Sequence, residues 1–139
     1  MKKVLDSWAL MAWMLGEGAA GEVQRLLDHA ETGRIELLMS VVNVGEIFYL
    51  VSRRRGEPEA EEFLKALPGM PIRTVLPTEG TILGAARLKA RFPISYADAF
   101  AAETAREQDA ALVTGDPELK VLGRRSVLKL EWIGRRASH

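Results

Sequence analysis

Residues 35–56 read IELLMSVVNVGEIFYLVSRRRG, and their order of elements sets the architecture. Ile35 to Met39 reads as a buried strand, and Val42 to Arg55 as a long helix that Gly56 closes. A strand running straight into a helix is half of a crossover unit. Within the sixteen residues from Leu37 to Ser52, Glu46 is the only charge. No basic residue lies three or four positions from it, so no helical ion pair accounts for it. An unpaired charge in an apolar segment is costly, which makes Glu46 a candidate for function.

The same alternation extends in both directions. Upstream, KKVL (2–5) suits a short buried strand, SWALMAWML (7–15) an apolar helix, and residues 20–32 an amphipathic helix burying Val23, Leu26, Leu27 and Ala30. Downstream come a helix over 58–67, opened by Pro58 and stopped by Pro68-Gly69, and a third strand, IRTVL (72–76). Helices follow over 78–91 and 95–108, then a fourth strand at 111–113 and a fifth, VLKLEW, at 127–132. Strands alternating with helices of this length predict an α/β fold with a mostly parallel sheet and helices on both faces. We expect one domain over residues 1–133 and a loose tail over 134–139.

Composition narrows the chemistry. The 139 residues include no cysteine and two histidines, His29 and His139, which removes thiolate sites and leaves little for zinc. Any metal should be a hard cation held by oxygen. Net charge is zero, so attraction to phosphate must be local rather than a property of the whole molecule. Lys2-Lys3 before the uncharged stretch 7–16 imitates a secretory signal, but Asp6 and Glu17 interrupt it. No uncharged stretch reaches membrane-span length, and the expected location is the cytoplasm.

Three further acids share the oddity of Glu46. Asp6 and Asp116 follow the first and fourth strands, at the carboxyl-end edge where open parallel sheets bind ligands. Asp98 falls in the first turn of its helix and overhangs the same edge. Each has an ordinary reading as well: Ser95 to Asp98 matches a capping box, Asp116 before Pro117 a helix cap, and Asp6 or Ser7 a cap of the first helix. Together they mean more, because crowded carboxylates repel one another unless a cation joins them. Mg²⁺ or Mn²⁺ needs only a few carboxylates and activates water for attack on a phosphoryl group.

With these residues in view, the sequence resembles the PIN domain family, specifically the VapC-type toxin ribonucleases of toxin–antitoxin pairs. VLDSWALMAW resembles the family's opening strand and aspartate, NVGEIFYL its glutamate helix, ISYADAFAAETA its third acidic segment and LVTGDPEL its last. The resemblance implies a PIN-like three-layer sandwich with a five-stranded sheet, a Mg²⁺ or Mn²⁺ cofactor, and hydrolysis of RNA by a metal-activated water. It places the catalytic acids at Asp6, Glu46, Asp98 and Asp116, the metal on Asp6, Asp98 and Asp116 with Glu46 as ligand or water-orienting base, and supporting hydroxyls at Ser7 and Thr114. It further implies a cognate antitoxin and a homodimer. Trp8 departs from the pattern, being bulky where a small residue is usual.

Arg53-Arg54-Arg55, Arg87 with Lys89 and Arg91, Arg124-Arg125 and Arg135-Arg136 could attract an RNA backbone; for the first run, compensation of the helix dipole is the simpler account. Trp8, Met11, Trp13 and Met14 could line a groove for a partner helix, although packing into the core explains most such residues. Two other functions remain open. One is a non-catalytic PIN-fold module that binds RNA or a partner; the other is a phosphatase of the haloacid-dehalogenase type, which needs a second aspartate where Trp8 stands.

Overall fold

The structure, a computed structural model, describes residues 1–135. Five strands, β1 (Lys2–Leu5), β2 (Glu36–Ser40), β3 (Ile72–Val75), β4 (Ala111–Thr114) and β5 (Leu130–Trp132), form one sheet in the order β3-β2-β1-β4-β5. Every pairing is parallel. The helices are α1 (Ser7–Met14), α2 (Ala20–Glu31), α3 (Val41–Arg55), α4 (Glu57–Ala66), α5 (Glu79–Arg91), α6 (Tyr96–Glu107) and α7 (Lys120–Arg124). A parallel pair cannot be joined by a hairpin, and each connection accordingly carries at least one helix.

Alternate strand residues feed two cores. Leu5, Leu37, Met39 and Val113 pack with α1 to α4 on one face, whereas Val4, Leu38 and Leu112 pack with α5, α6 and α7 on the other. A sheet covered on both faces explains why its strands read as continuous apolar runs rather than as alternation. Between α3 and α4 the chain reverses at Gly56, whose φ of 95° is open to glycine at little cost.

The expected elements are present with two differences. The fifth strand covers Leu130–Trp132 only, because Val127 and Leu128 turn inward against the α6 face of the core. Ahead of them lie a 3₁₀ turn (Pro117–Leu119), capped by Asp116 as its place before Pro117 suggests, and α7, which the sequence leaves as connection. At five residues, α7 is too short to show a helical period. From residue 136 the expected tail, with Arg136 and His139, lies outside the described residues. Among the described residues no helix is long and apolar enough to cross a membrane.

Candidate metal centre

Strand order reverses at β1, with β2 on one side and β4 on the other. Outside the carboxyl ends of the strands at such a reversal a crevice opens. Here it is a cleft of about 260 Å³, lined by Glu46, Asp98, Asp116 and Glu118, with Trp8, Met11 and Leu50 as apolar walls. Glu46 reaches it from the second turn of α3, Asp98 from the first turn of α6, and Asp116 and Glu118 from the turn after β4.

Asp6 lies deeper than the other acids. It is fully buried and does not line the cleft; its Oδ1 accepts the Ala9 backbone N–H at 2.8 Å, capping α1, and its Oδ2 accepts the Thr114 hydroxyl. Burial lifts its carboxyl to about 7; the bonds from Thr114 and Ala9 oppose the rise, and the charges of Asp116 and Glu46 add to it. With both oxygens engaged and no exposed surface, Asp6 does not present the open nucleophile that a haloacid-dehalogenase reaction requires.

The two hydroxyls behave differently. Thr114 bridges the site, donating to Asp6 while accepting the Asp116 N–H at 3.0 Å. Ser7 instead donates to the backbone carbonyl of Asn43 at 3.3 Å, which ties α1 to α3 rather than orienting a carboxylate.

Asp98 is 7% exposed, and the capping box expected around it is half formed. The Ser95 hydroxyl accepts the Asp98 N–H at 3.1 Å, but the return bond is missing, because the Ser95 N–H is given to Glu118. Burial raises the Asp98 carboxyl to about 8, with the Asp116 and Asp6 charges next in weight; the Ser95 hydroxyl counters them and Glu118 adds a smaller push. A buried carboxylate that does not complete its cap and pairs with no basic side chain among the described residues is an expensive feature to keep.

Asp116 does cap the 3₁₀ turn, accepting the Glu118 N–H at 3.0 Å, so its ordinary role and a ligand role coexist. Oxygens of Asp98, Asp116 and Glu118 all lie within 4.8 Å of one another. The set is hard, anionic and oxygen-only, which fits a Mg²⁺- or Mn²⁺-type cation.

Two site residues escaped the sequence reading. Glu118 stands two positions after Asp116, a spacing that places two acids around one tight turn. Asn43 is fully buried, donates from Nδ2 to the Ala97 carbonyl at 3.1 Å and leaves Oδ1 without a partner among the described residues. It pins α3 against the residue preceding Asp98. Its signal was a polar side chain on the Glu46 helix, three positions from the glutamate and therefore on the same face.

Trp8 is accommodated rather than tolerated. Its six-membered ring lies against Gly115, where any Cβ would collide with the ring atoms. Trp8, a wall of the cleft, thus packs on Gly115, and the two depend on each other. Gly115→Ala should overpack this wall, lowering stability by about 1–3 kcal/mol. Urea unfolding followed by tryptophan fluorescence reads the loss, and Trp8→Ala in the same chain should recover part of it.

An all-parallel sheet with carboxylates gathered at its reversal point defines an α/β protein with an acidic strand-end centre. The sequence profile of the PIN domain matches residues 3–125, and the chain belongs to the PIN domain family. Among curated protein sequences none matches it. Similar solved structures include VapBC2 from Rickettsia felis, bound to a DNA fragment from its promoter (TM-score 0.71, 18% identity, covering 94% of this chain and 98% of that one). VapC20 of Mycobacterium tuberculosis, a sarcin-ricin loop cleaving toxin, gives a TM-score of 0.70 at 18% identity over 87% of this chain and 95% of its own. A toxin–antitoxin complex from Klebsiella pneumoniae gives 0.61 at 14% over 84% and 89%. The fold expected from the sequence is the fold observed, shared with VapC toxins.

Proposed function

We propose that this chain, acting through residues 1–133, is a metal-dependent endoribonuclease and the toxin of a VapBC-like pair in the cytoplasm. The observation that carries this reading is the convergence of Asp98, Asp116 and Glu118 oxygens within 4.8 Å at the strand ends of a PIN fold. In it Asp98, Asp116 and Glu118 hold Mg²⁺ or Mn²⁺, Glu46 faces the same cleft as ligand or water-orienting base, and Asp6 with Thr114 fixes the floor beneath. The cation, when bound, supplies water activation and charge neutralisation at a phosphoryl oxygen. The chain's own part is to hold the carboxylates close enough that they need that cation, and to wall the cleft with Trp8, Met11 and Leu50. A panel of structured RNAs, incubated with Mn²⁺, Mg²⁺ or EDTA, tests the proposal against an Asp98→Asn control. RNA that is bound but left intact in both metals would establish the non-catalytic module instead.

An antitoxin is the proposed inhibitor. The aromatic and methionine residues of α1 divide between two surfaces: Trp8 and Met11 face the acidic cleft, while Trp13 and Met14 line a separate groove of about 330 Å³ with Leu15, Val51, Phe63 and Met70. An apolar groove of this kind suits the apolar face of an amphipathic helix. Met70→Glu should weaken capture of the co-expressed antitoxin by at least about tenfold, as loss of an interface anchor does, and leave RNA cleavage by the free protein unchanged. Light-scattering mass of the purified complex and of the free protein reads both this capture and the proposed homodimer. Undiminished capture by Met70→Glu would place the antitoxin elsewhere.

A further inference from the structure

The run Arg53-Arg54-Arg55 closes α3, and as a helix terminus it treats its three cations alike. Tertiary structure separates them. The Arg53 guanidinium lies over the Tyr49 ring, 5.2 Å from its centroid, and Arg55 pairs with Glu59 of α4 at 3.7 Å. Arg54 does neither: it lines the acidic cleft, where it is the one cation among the described lining residues, and it makes no ion pair among the described residues.

From these positions we infer that Arg54 is a substrate-binding residue, which holds a backbone phosphate of the RNA strand adjacent to the phosphate that is cut. The inference rests on the nuclease reading of the same cleft and adds to it the path of the strand. Glu46, Leu50 and Arg54 recur every four residues and line the cleft together, so they form one stripe of α3. Glu46 and Arg54 are separated by about 12 Å along the helix axis, at 1.5 Å per residue. Long side chains on a helix lean toward its N-terminus, which carries the guanidinium back toward Glu46. A strand whose reacting phosphate sits at the carboxylates therefore runs past Arg54.

Electrostatics gives the residue its purpose. Five carboxylates, those of Glu17, Glu46, Asp98, Asp116 and Glu118, line the cleft, and one divalent cation offsets only part of their repulsion toward a polyanion. A guanidinium stays charged at any relevant pH and grips phosphate through two parallel N–H bonds. Glu17 lines the same cleft without pairing to Arg54, so the guanidinium remains available to a ligand.

Arg53→Ala, Arg54→Ala, Arg54→Lys and Arg55→Ala, each verified as folded by urea midpoint, decide the matter in steady-state cleavage and in fluorescence anisotropy of a labelled RNA. A charge-assisted hydrogen bond of about 1.5–3 kcal/mol converts to a rise in KM of roughly 10- to 100-fold for Arg54→Ala. Its kcat should change by less than about threefold, since the contact holds the strand and leaves the reacting atoms alone. The slope of log affinity against log salt should fall by about 0.7, one phosphate contact on a single strand. Arg54→Lys should restore part of the affinity, and Arg53→Ala and Arg55→Ala should match the wild type. An Arg54→Ala protein indistinguishable from Arg53→Ala in both KM and salt slope overturns the inference, as does loss of antitoxin capture with RNA binding intact. If the wild type cleaves nothing in either metal, the nuclease reading fails by itself, and anisotropy, which needs no cleavage, still decides Arg54.

Discussion

Asp98→Asn, Asp116→Asn and Glu118→Gln are each expected to leave a folded protein whose RNA cleavage in Mn²⁺, on the proposed reading, is at least about 100-fold slower than that of the wild type. The scale follows from metal sites in general, where loss of a residue merely supporting a ligand costs 10- to 100-fold. Removing a ligand itself should cost no less. All three substitutions are nearly isosteric and lie on the cleft surface or its edge, so the backbone bonds around them survive: Ser95 still receives the Asp98 N–H, and an asparagine oxygen at 116 still receives the Glu118 N–H. Asp6→Asn belongs to a different class. Its amide would face the Thr114 hydroxyl inside a fully buried site, so activity should fall, with a loss of stability at acid pH, where the wild-type carboxyl is already neutral. Wild-type rates in purified Asp98→Asn and Asp116→Asn would remove the acidic centre from the chemistry.

In EDTA the protein should be most stable on the acid side of neutrality and lose stability as the pH rises from about 4 to about 8. Asp6 and Asp98 have folded carboxyls raised to about 7 and about 8 from 3.8. Between 3.8 and those values the folded chain holds more protons than the unfolded one, and stability then declines with pH. Below pH 3.8 both states are protonated and neither group carries a penalty. Above pH 8 both groups carry their full cost.

Asp98→Asn should abolish its share of that cost. In EDTA at pH 8 it should raise Tm by roughly 3–10 °C relative to wild type, a gain that disappears near pH 4. Mn²⁺ at a hundred times its dissociation constant should add about 2.7 kcal/mol to the wild type and less to the variant. Were Asp98 chiefly a helix cap, its replacement would instead lower the EDTA Tm by an amount worth about 0.3–1 kcal/mol and leave the metal increment untouched. Thermal melts of both proteins across pH, with EDTA and with Mn²⁺, separate the two outcomes.

Much of this molecule was legible in its sequence, because local chemistry decides local elements. Gly33, Gly56 and Pro68-Gly69 punctuate helices by backbone preference, and apolar runs such as Leu37 to Met39 declare strands that are covered on both faces. Glu46 stood out because a lone charge on an apolar helix has no local partner to excuse it, and the order of strands and helices required crossovers and hence a parallel sheet. Other features depend on residues far apart in the chain and meet only in three dimensions. Asp98 has the spacing of a capping box, and only the arrival of Glu118 from beyond β4 takes the bond that would have closed it. Burial of Asp6 beneath the cleft, the mutual fit of Trp8 and Gly115, and the pinning of α3 to α6 by Asn43 are likewise contacts across tens of residues. Arg53, Arg54 and Arg55 are identical as sequence; what distinguishes them is the surface toward which each successive rotation of about 100° along α3 turns its guanidinium, and that surface exists only once the helices have packed.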